Sequence, residues 1–580
     1  MLCFTALAAA GLAVRSPSSL DVQRGYSELL GEPPAAAVGE ASLPQRNTSS
    51  ATAVGFFLRT LAHPLHGTVE AAAGGSAPAW LAGVRHYRLL PGAFPKGMKF
   101  HFDGLSTVAS FQFVANDDGA AAAPPVLSVV SRRLATDASN DYKKCIFFGT
   151  GTGPTLGTEV CFQNPGVNLL PIQGQLWLTI DTLSWGRVDP VTLETIDAKV
   201  DVPSFILNAH PACERFDSKQ RRCFVQHPCG NISKTSGSPS PITDGVCFSK
   251  LNPSHVSAAA DMTTEEIGRT KMAKSKILQH SHAPCLTEHF LVSKLDSFTP
   301  RINKLLTDSG LLRVLHQGED SQWAVLDRRT NVTRVINGNF SFVNNHFWNC
   351  YEVVDSSTGR IDVVVDTVAA TKDYLDIYFE HSLDVPLPSW PTLFHPPQRC
   401  IVPGDVVPGS SSGEEEKKKK EEEVAAVAAE TVSCVPLLPV ANVALTYFDY
   451  PTYNPAMKTN ASYRWTYAIA PTDPATSRWF DSVVKIDMHS RTLAKSWTAE
   501  GIYFTEADFV ARPGATAEDD GALLTIIYNA TTDLSAFAVF DAATLTLLAQ
   551  YPLGIAVPFH AHGIVCPNAG NDTKGCYTNP

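Results

Sequence analysis

One unit returns along this chain and restricts its fold more than any other feature. A short alternating apolar run ends in Asp, a few turn residues follow, and then come Thr and another alternating run. Residues 183–196 (LSWGRVDPVTLETI), 322–333 (QWAVLDRRTNVT), 482–496 (SVVKIDMHSRTLAKS) and 535–548 (SAFAVFDAATLTLL) carry it. Asp189, Asp327, Asp487 and Asp541 each open a tight turn, because an Asp carboxylate accepts hydrogen bonds from backbone N–H groups two residues on. Period-two alternation on both sides of such a turn is a β-hairpin signal. Hairpins that recur without helical periodicity between them mean a sandwich, a barrel or a propeller. Over 580 residues a propeller is the economical solution, since each blade is a small antiparallel sheet and stacked blades bury each other's faces. The repeat is too irregular to set the number of blades.

The flanking sequence divides simply. Residues 1–70 are rich in Ala, Ser and Pro and read as a targeting segment plus a poorly ordered arm. Residues 71–575 read as one propeller domain. Residues 262–276 and 300–316 are expected to be short helices outside the blades. Residues 409–430, with EEEKKKKEEE at their centre, form a low-complexity insertion, either a solvated helix with i,i+4 pairs or a charged loop. The apolar start, Met1 to Val14, is too short to cross a bilayer. A net charge of -11 without clustered basic residues argues against a nucleic-acid binder.

Thirteen cysteines and seven Asn-X-Ser/Thr sequons bear on the compartment. Cys213, Cys223, Cys229 and Cys247 have spacings unlike a zinc ribbon or finger, so isolated thiols or a local disulfide are expected there. The sequons, at Asn47, Asn231, Asn331, Asn339, Asn460, Asn529 and Asn571, lean towards the secretory route. A membrane-bounded organelle such as a plastid is the other expectation.

Four of the 17 histidines stand in a context that suits a metal. His210, in FILNAHPACERFD, projects from a strand that Pro211 ends. His282, in HSHAPCLTEHFLV, precedes an apolar strand that alternates through Leu286 and Phe290. His346, in FVNNHFWNCYE, lies between large aromatics. His562, in VPFHAHGIV, is followed by Gly563, which permits a turn or a close approach. Strand-end histidines far apart in sequence are what a propeller axis needs. Neutral imidazole suits iron, zinc and copper alike. Four such ligands leave a 2+ charge uncompensated, so carboxylates are expected behind them, each accepting the other ring N–H. His560 and His562 form an alternative H-x-H pair on one strand face.

At these residues the chain resembles the carotenoid cleavage oxygenase family, which includes the carotenoid dioxygenases and a retinal-pigment isomerohydrolase branch. His210 with Pro211, His282 with Thr287 and Glu288, His346 with Asn349, Tyr351 and Glu352, and His562 with Pro558 and Gly563 match the motifs around that family's four iron ligands. Pro78, Trp80, Leu81 and Gly83, the block His101–Gly104, and the block Thr505–Pro513 with Glu518–Gly521 extend the likeness over about residues 70–570. The resemblance implies an all-β, seven-bladed β-propeller with short helices and loops capping one face. It implies Fe2+ on His210, His282, His346 and His562, with no catalytic side chain beyond the metal site. It also implies an outer shell of carboxylates at Asp181, Asp449 and Glu506. Two of these depart from the family, which has Glu where Asp181 and Asp449 stand. Asp is one methylene shorter and is expected to reach its histidine through water or after a shift of the blade, with weaker iron binding. Phe559, His560 and Ala561 replace the family's Phe/Tyr-Gly-Phe.

The implied reaction is cleavage of a conjugated carbon–carbon double bond of a carotenoid or apocarotenoid by O2, giving aldehydes. Such a polyene needs an apolar tunnel. Phe347, Trp348 and Phe559 are candidate wall residues, although blade core is the plainer reading of the first two. A lipophilic substrate also implies peripheral contact with a membrane. Two further functions fit the same scaffold: an iron-dependent isomerohydrolase of retinyl-type esters, which consumes no O2, and a carotenoid-binding propeller without turnover.

Overall fold

The computed structural model describes residues 61–94, 104–116, 123–136, 164–180, 184–201, 212–215, 221–229, 245–254, 261–271, 278–300, 315–371, 393–404, 431–438 and 447–578. Positions 62, 173, 281, 319, 355–359, 476, 478, 569–572 and 574 within these spans are excepted. His210, Asp181 and the 409–430 insertion lie outside the described residues.

The recurrent hairpin is real, and its turn has one geometry. Asp189 Oδ1 accepts from Val191 N at 2.8 Å, Asp327 Oδ1 from Arg329 N at 2.8 Å and Asp487 Oδ1 from His489 N at 3.0 Å. Asp541 Oδ1 accepts one residue further on, from Thr544 N at 2.8 Å. The residue four after each Asp is left-handed: Leu193, Asn331, Arg491 and Leu545 have φ between 55° and 59°. A type I turn followed by one left-handed residue has the twist that antiparallel strands need.

The strands assemble into sheets that follow one another along the chain. Asn168–Ile172, Gln175–Thr179, Ser184–Val188 and Thr195–Asp201 form one four-stranded sheet. Ala212–Arg215, Arg221–Cys229, Gly245–Ser254 and Asp261–Lys271 form the next. A seven-stranded sheet follows, from Cys285–Leu286 to Thr431–Pro436. Its central strand, Val332–Val354, pairs with Asp320–Asp327 along its first half and with Ile361–Ala370 along its second. A four-stranded sheet spans Asp449–Thr498, and a five-stranded one spans Ile502–Pro552. The last sheet joins the two ends of the described chain, because Arg85–Ala93 pairs antiparallel with Gly563–Cys566. A small sheet of Leu278–His280, Asp296–Pro300 and Leu315–Gly318 stands apart from this series.

Burial shows that the series is a ring. Leu169, Leu176 and Leu178 pack on Tyr87, Val108 and Ile564 of the sheet before them. Trp177 and Trp185 pack on Val225 and Leu251 of the sheet after. Phe224 and Phe248 meet Leu291 and Leu326. Trp348 and Val364 meet Ile469 and Val483, which in turn meet Phe504 and Leu523. Leu524, Phe537 and Val539 then pack on Phe111 and Val129 of the first sheet. Sheets that each bury both faces against their neighbours, with the last returning to the first, are a β-propeller arrangement.

Two expectations are corrected. The described part of residues 262–276 is not helical: Asp261–Lys271 is a strand paired antiparallel with Gly245–Ser254. Of residues 300–316, the described positions 300 and 315–316 are in strands, and 301–314 lie outside the described residues. The described elements are strands and two 3-10 turns, Ala79–Leu81 and Pro455–Met457, with no α-helix among them. Among the described residues no helix is long and apolar enough to cross a membrane. The first strand, His66–Val69, lies inside the segment read as an arm, because it pairs with the edge of Val126–Arg133.

Disulfides join Cys229 to Cys247, Cys285 to Cys350, Cys400 to Cys434 and Cys566 to Cys576, and Cys223 is also disulfide-bonded. The cysteine group read from sequence is thus oxidised and holds no zinc at Cys223, Cys229 or Cys247.

Ring closure depends on a close approach at Gly563. A Cβ there would lie 2.6 Å from the Tyr87 carbonyl oxygen and 2.7 Å from Arg88 Cδ. The obstacle is strand backbone, which cannot rotate away. Gly563→Ala is expected to cost about 1–3 kcal/mol, read as a fall in the denaturant midpoint. An unchanged midpoint would show that the closing strands can separate without penalty.

Candidate metal centre

The ladder is broken where the candidate histidines sit. The pairing of Val332–Val354 with Ile361–Ala370 shifts register between Asn344 and Phe347 and again between Phe347 and Asn349. His346 occupies this irregularity. Bulges re-aim side chains in this way and gather beside functional sites. Thr367, on the opposing strand, steadies the bulge by donating its hydroxyl to the His346 carbonyl at 3.0 Å. His562 precedes Gly563–Cys566 and is left-handed, with φ of 50°. Backbone in that region costs a non-glycine residue energy that the surroundings must offset. His282 lies in the connection between Leu278–His280 and Cys285–Leu286.

Three of the four histidines converge. Nitrogens of His282, His346 and His562 all lie within 4.8 Å of one another. Their ring centroids are 5.4 Å apart for His282 and His346, 5.0 Å for His346 and His562, and 6.5 Å for His282 and His562. His346 and His562 are buried, and His282 is partly so. His560, the partner in the alternative pair, does not join the group. Its Nδ1–H donates to the Pro558 carbonyl at 2.9 Å, and burial holds its pKa well below the ordinary histidine value.

Carboxylates stand behind two of the rings. His346 Nδ1–H donates to Asp449 Oδ1 at 2.6 Å. The shorter Asp therefore reaches its histidine directly, without intervening water. It does so because Asp449 sits at another irregularity: register shifts between Asp449 and Thr452, and Tyr450 is left-handed, with φ of 53°. With Nδ1 committed, Nε2 is the nitrogen that His346 offers as a ligand. Glu506 Oε1 lies 3.5 Å from His562 Nδ1.

Behind Glu506 lies a buried ionic network that the sequence does not announce. Arg88 Nη1 is 2.5 Å from Asp508 Oδ2 and 3.5 Å from Glu506 Oε2. His86 Nε2–H donates to the same Asp508 oxygen at 2.5 Å. Burial, then the neighbouring Asp508 charge, push the Glu506 carboxyl up. Burial alone would raise Asp508 too, but His86 and Arg88 together outweigh it and hold that carboxyl low. A 2+ ion beside His562 would favour the charged form of Glu506.

The three imidazoles suit a first-row divalent metal, and the two carboxylates supply the negative charge that neutral ligands leave out. Nitrogen ligands stand about 2 Å from such an ion, so the group needs only small side-chain adjustment to close on one centre. Asp449→Ala should therefore weaken metal affinity by about 10- to 100-fold, measured by anaerobic titration. Affinity equal to the parent's would remove Asp449 from the centre.

The proposed wall residues divide. Phe559 is buried and in ring contact with Tyr450 and Trp479. Phe347 stacks on Trp323, and Trp348 packs on Phe448, both inside sheet cores. Tyr450, which the sequence reading missed, touches both His346 and His562, with centroids 5.2 and 5.7 Å away. Its place next to Asp449 was the only available signal. Motif residues near His346 serve the scaffold: Asn349 Oδ1 accepts from Tyr453 and Thr459, and Glu352 accepts from His289.

Comparison with known proteins agrees with this geometry. A carotenoid cleavage dioxygenase 8 homolog A, chloroplastic, of Oryza sativa subsp. japonica is 35% identical over 120 residues, 20% of this chain and 21% of that protein. The apocarotenoid-15,15'-oxygenase of Synechocystis is 31% identical over 118 residues, 20% of this chain and 24% of that protein. The matched segments thus span about a fifth to a quarter of these relatives. The cobalt-substituted Synechocystis apocarotenoid oxygenase has the same fold, with a TM-score of 0.64 at 18% identity over 90% of this chain and 99% of that one. Residues 59–566 match the retinal pigment epithelial membrane protein family, and the chain accordingly belongs to that family of carotenoid cleavage oxygenases.

Proposed function

We propose that this chain is a non-haem iron(II) dioxygenase that cleaves a conjugated C=C bond of a carotenoid or apocarotenoid with O2 and releases aldehydes. The observation that carries the reading is the convergence of His282, His346 and His562, with Asp449 behind one ring and Glu506 behind another. His210, on its motif, is the fourth ligand. Division of the seven-stranded sheet where Val332–Val354 changes partner, between Phe342 and Val343, makes seven blades of the ring, and Asp181 belongs to the outer shell with Asp449 and Glu506.

Ferrous iron, when bound, supplies the redox chemistry that activates O2. The chain's own part is to hold and to exclude. Asp449 fixes the tautomer and the orientation of His346 through its 2.6 Å hydrogen bond. Tyr450 and Phe559 present an apolar, aromatic flank beside the histidines, which suits a polyene that offers nothing to hydrogen-bond. No acid or base is needed at the scissile bond.

The crosslinks support the secretory route as the compartment. Four disulfides among the described residues are stable where the environment is oxidising, which accords with the sequons and the secretory route. The membrane is the source of substrate, reached by peripheral contact.

The test is product mass spectrometry on a panel of carotenoids and apocarotenoids, with O2 consumption recorded. Iron-dependent appearance of two carbonyl products with matching O2 uptake is expected. An isomerised alcohol without O2 uptake would replace the reading with the isomerohydrolase, and bound polyene without turnover would replace it with a carotenoid carrier.

A further inference from the structure

All four histidines read as ligands share a spacing that the function does not explain. His210 is followed by Cys213, His282 by Cys285, His346 by Cys350 and His562 by Cys566. Each cysteine lies three or four residues on, and none of the other thirteen histidines (17 less these four) has a cysteine at either position.

Cys285, Cys350 and Cys566 are crosslinked. Cys285 is bonded to Cys350 across 65 residues, which ties the segment after His282 to the strand that carries His346. Cys566, just past His562, is bonded to Cys576. Cys213 stands opposite Cys223 in its sheet by backbone register.

The Cys285–Cys350 bridge has a physical reason to matter at the centre. Around His346 the ladder is irregular, so backbone hydrogen bonding does not by itself fix where that ring lies. His282 is in a connection, not in a strand. A second tie joins the same two segments: Glu352 accepts from the His289 backbone N–H and from His289 Nδ1–H, both at 2.7 Å. That pair is partly exposed. The disulfide is buried, with Cys285 at 3% and Cys350 at 8% exposure, and it is covalent.

We propose that Cys285–Cys350 is a positioning crosslink of the metal centre, which sets the spacing of His282 and His346 so that high metal affinity requires the closed disulfide. The inference rests on the metal-site reading above. Opening the bridge breaks the S–S bond and takes two electrons and two protons from a dithiol, which leaves as its own disulfide, so the same contact makes metal retention sensitive to reductant.

The experiment titrates the full oxidised chain with Co2+ under anaerobic conditions and follows binding by absorption. It compares the parent, the Cys285→Ala/Cys350→Ala variant and the Cys400→Ala/Cys434→Ala variant, which lacks a bridge far in sequence from any candidate ligand. The first variant is expected to bind about 10- to 100-fold more weakly, the range for lost support of a metal ligand, while the second keeps the parent's affinity. A folded Cys285→Ala/Cys350→Ala chain with the parent's affinity would overturn the proposal, as would equal losses in both variants. If the first variant does not fold, graded reduction of the parent by a dithiol decides: affinity should fall in step with alkylation of Cys285 and Cys350, and affinity that persists once both are alkylated overturns it. A parent that binds no Co2+ at all would instead remove the metal-site reading, a different failure.

Discussion

Replacement of His346 by alanine is expected to leave a folded chain that holds no stoichiometric metal and cleaves no polyene. His346 is the best supported of the three rings, held by Asp449 at 2.6 Å and placed by a bulge. Its removal takes away a ligand and leaves Asp449 buried without the ring N–H it accepts from. Loss of an outer-shell partner alone costs about 10- to 100-fold in affinity or activity, so loss of the ligand should exceed that range. His560→Gln is the matched comparison. His560 is buried, like His562, and two residues away, yet lies outside the converging group. It should retain metal. If His560→Gln loses metal and His346→Ala keeps it, the H-x-H pair is the site.

The second large effect is expected at Arg88. This guanidinium is fully buried between two carboxylates, Asp508 and Glu506. Arg88→Met would leave two buried carboxyl groups side by side without the guanidinium, with only His86 still bonded to Asp508. Removal of one partner from a buried ion pair costs about 3–5 kcal/mol, measured by chemical denaturation. The same change frees Glu506, which lies against His562, so metal affinity should fall together with stability. Arg88→Lys keeps the charge but replaces the planar guanidinium, whose Nη1 reaches both carboxylates, by a compact ammonium, and should recover only part of the loss. Parental stability in Arg88→Met would show that Asp508 and Glu506 do not depend on this cation.

The legible part of the molecule was local. Asp189, Asp327, Asp487 and Asp541 announce their turns because each side chain bonds backbone a few residues away, an interaction the sequence contains in full. His346 and Asp449 were legible through motifs, although they are 103 positions apart. The illegible part was made by the topology. Arg88 and Asp508, 420 positions apart, meet only because the first and last strands close the ring. Tyr450 touches two histidines because its backbone is left-handed, which nothing in FDYPTYN requires. Residues 262–276 read as a short helix, yet 262–271 pair with Gly245–Ser254, and sheet context commonly overrides local preference.

The central claim is that His282, His346 and His562 surround one metal ion. X-ray absorption at the iron edge of the anaerobically loaded chain tests it most directly. The account predicts a first shell of nitrogen and oxygen only, with the outer-shell scattering of at least three imidazoles, lost in His346→Ala. Sulfur in the first shell, or a parental spectrum that His346→Ala does not change, would contradict it.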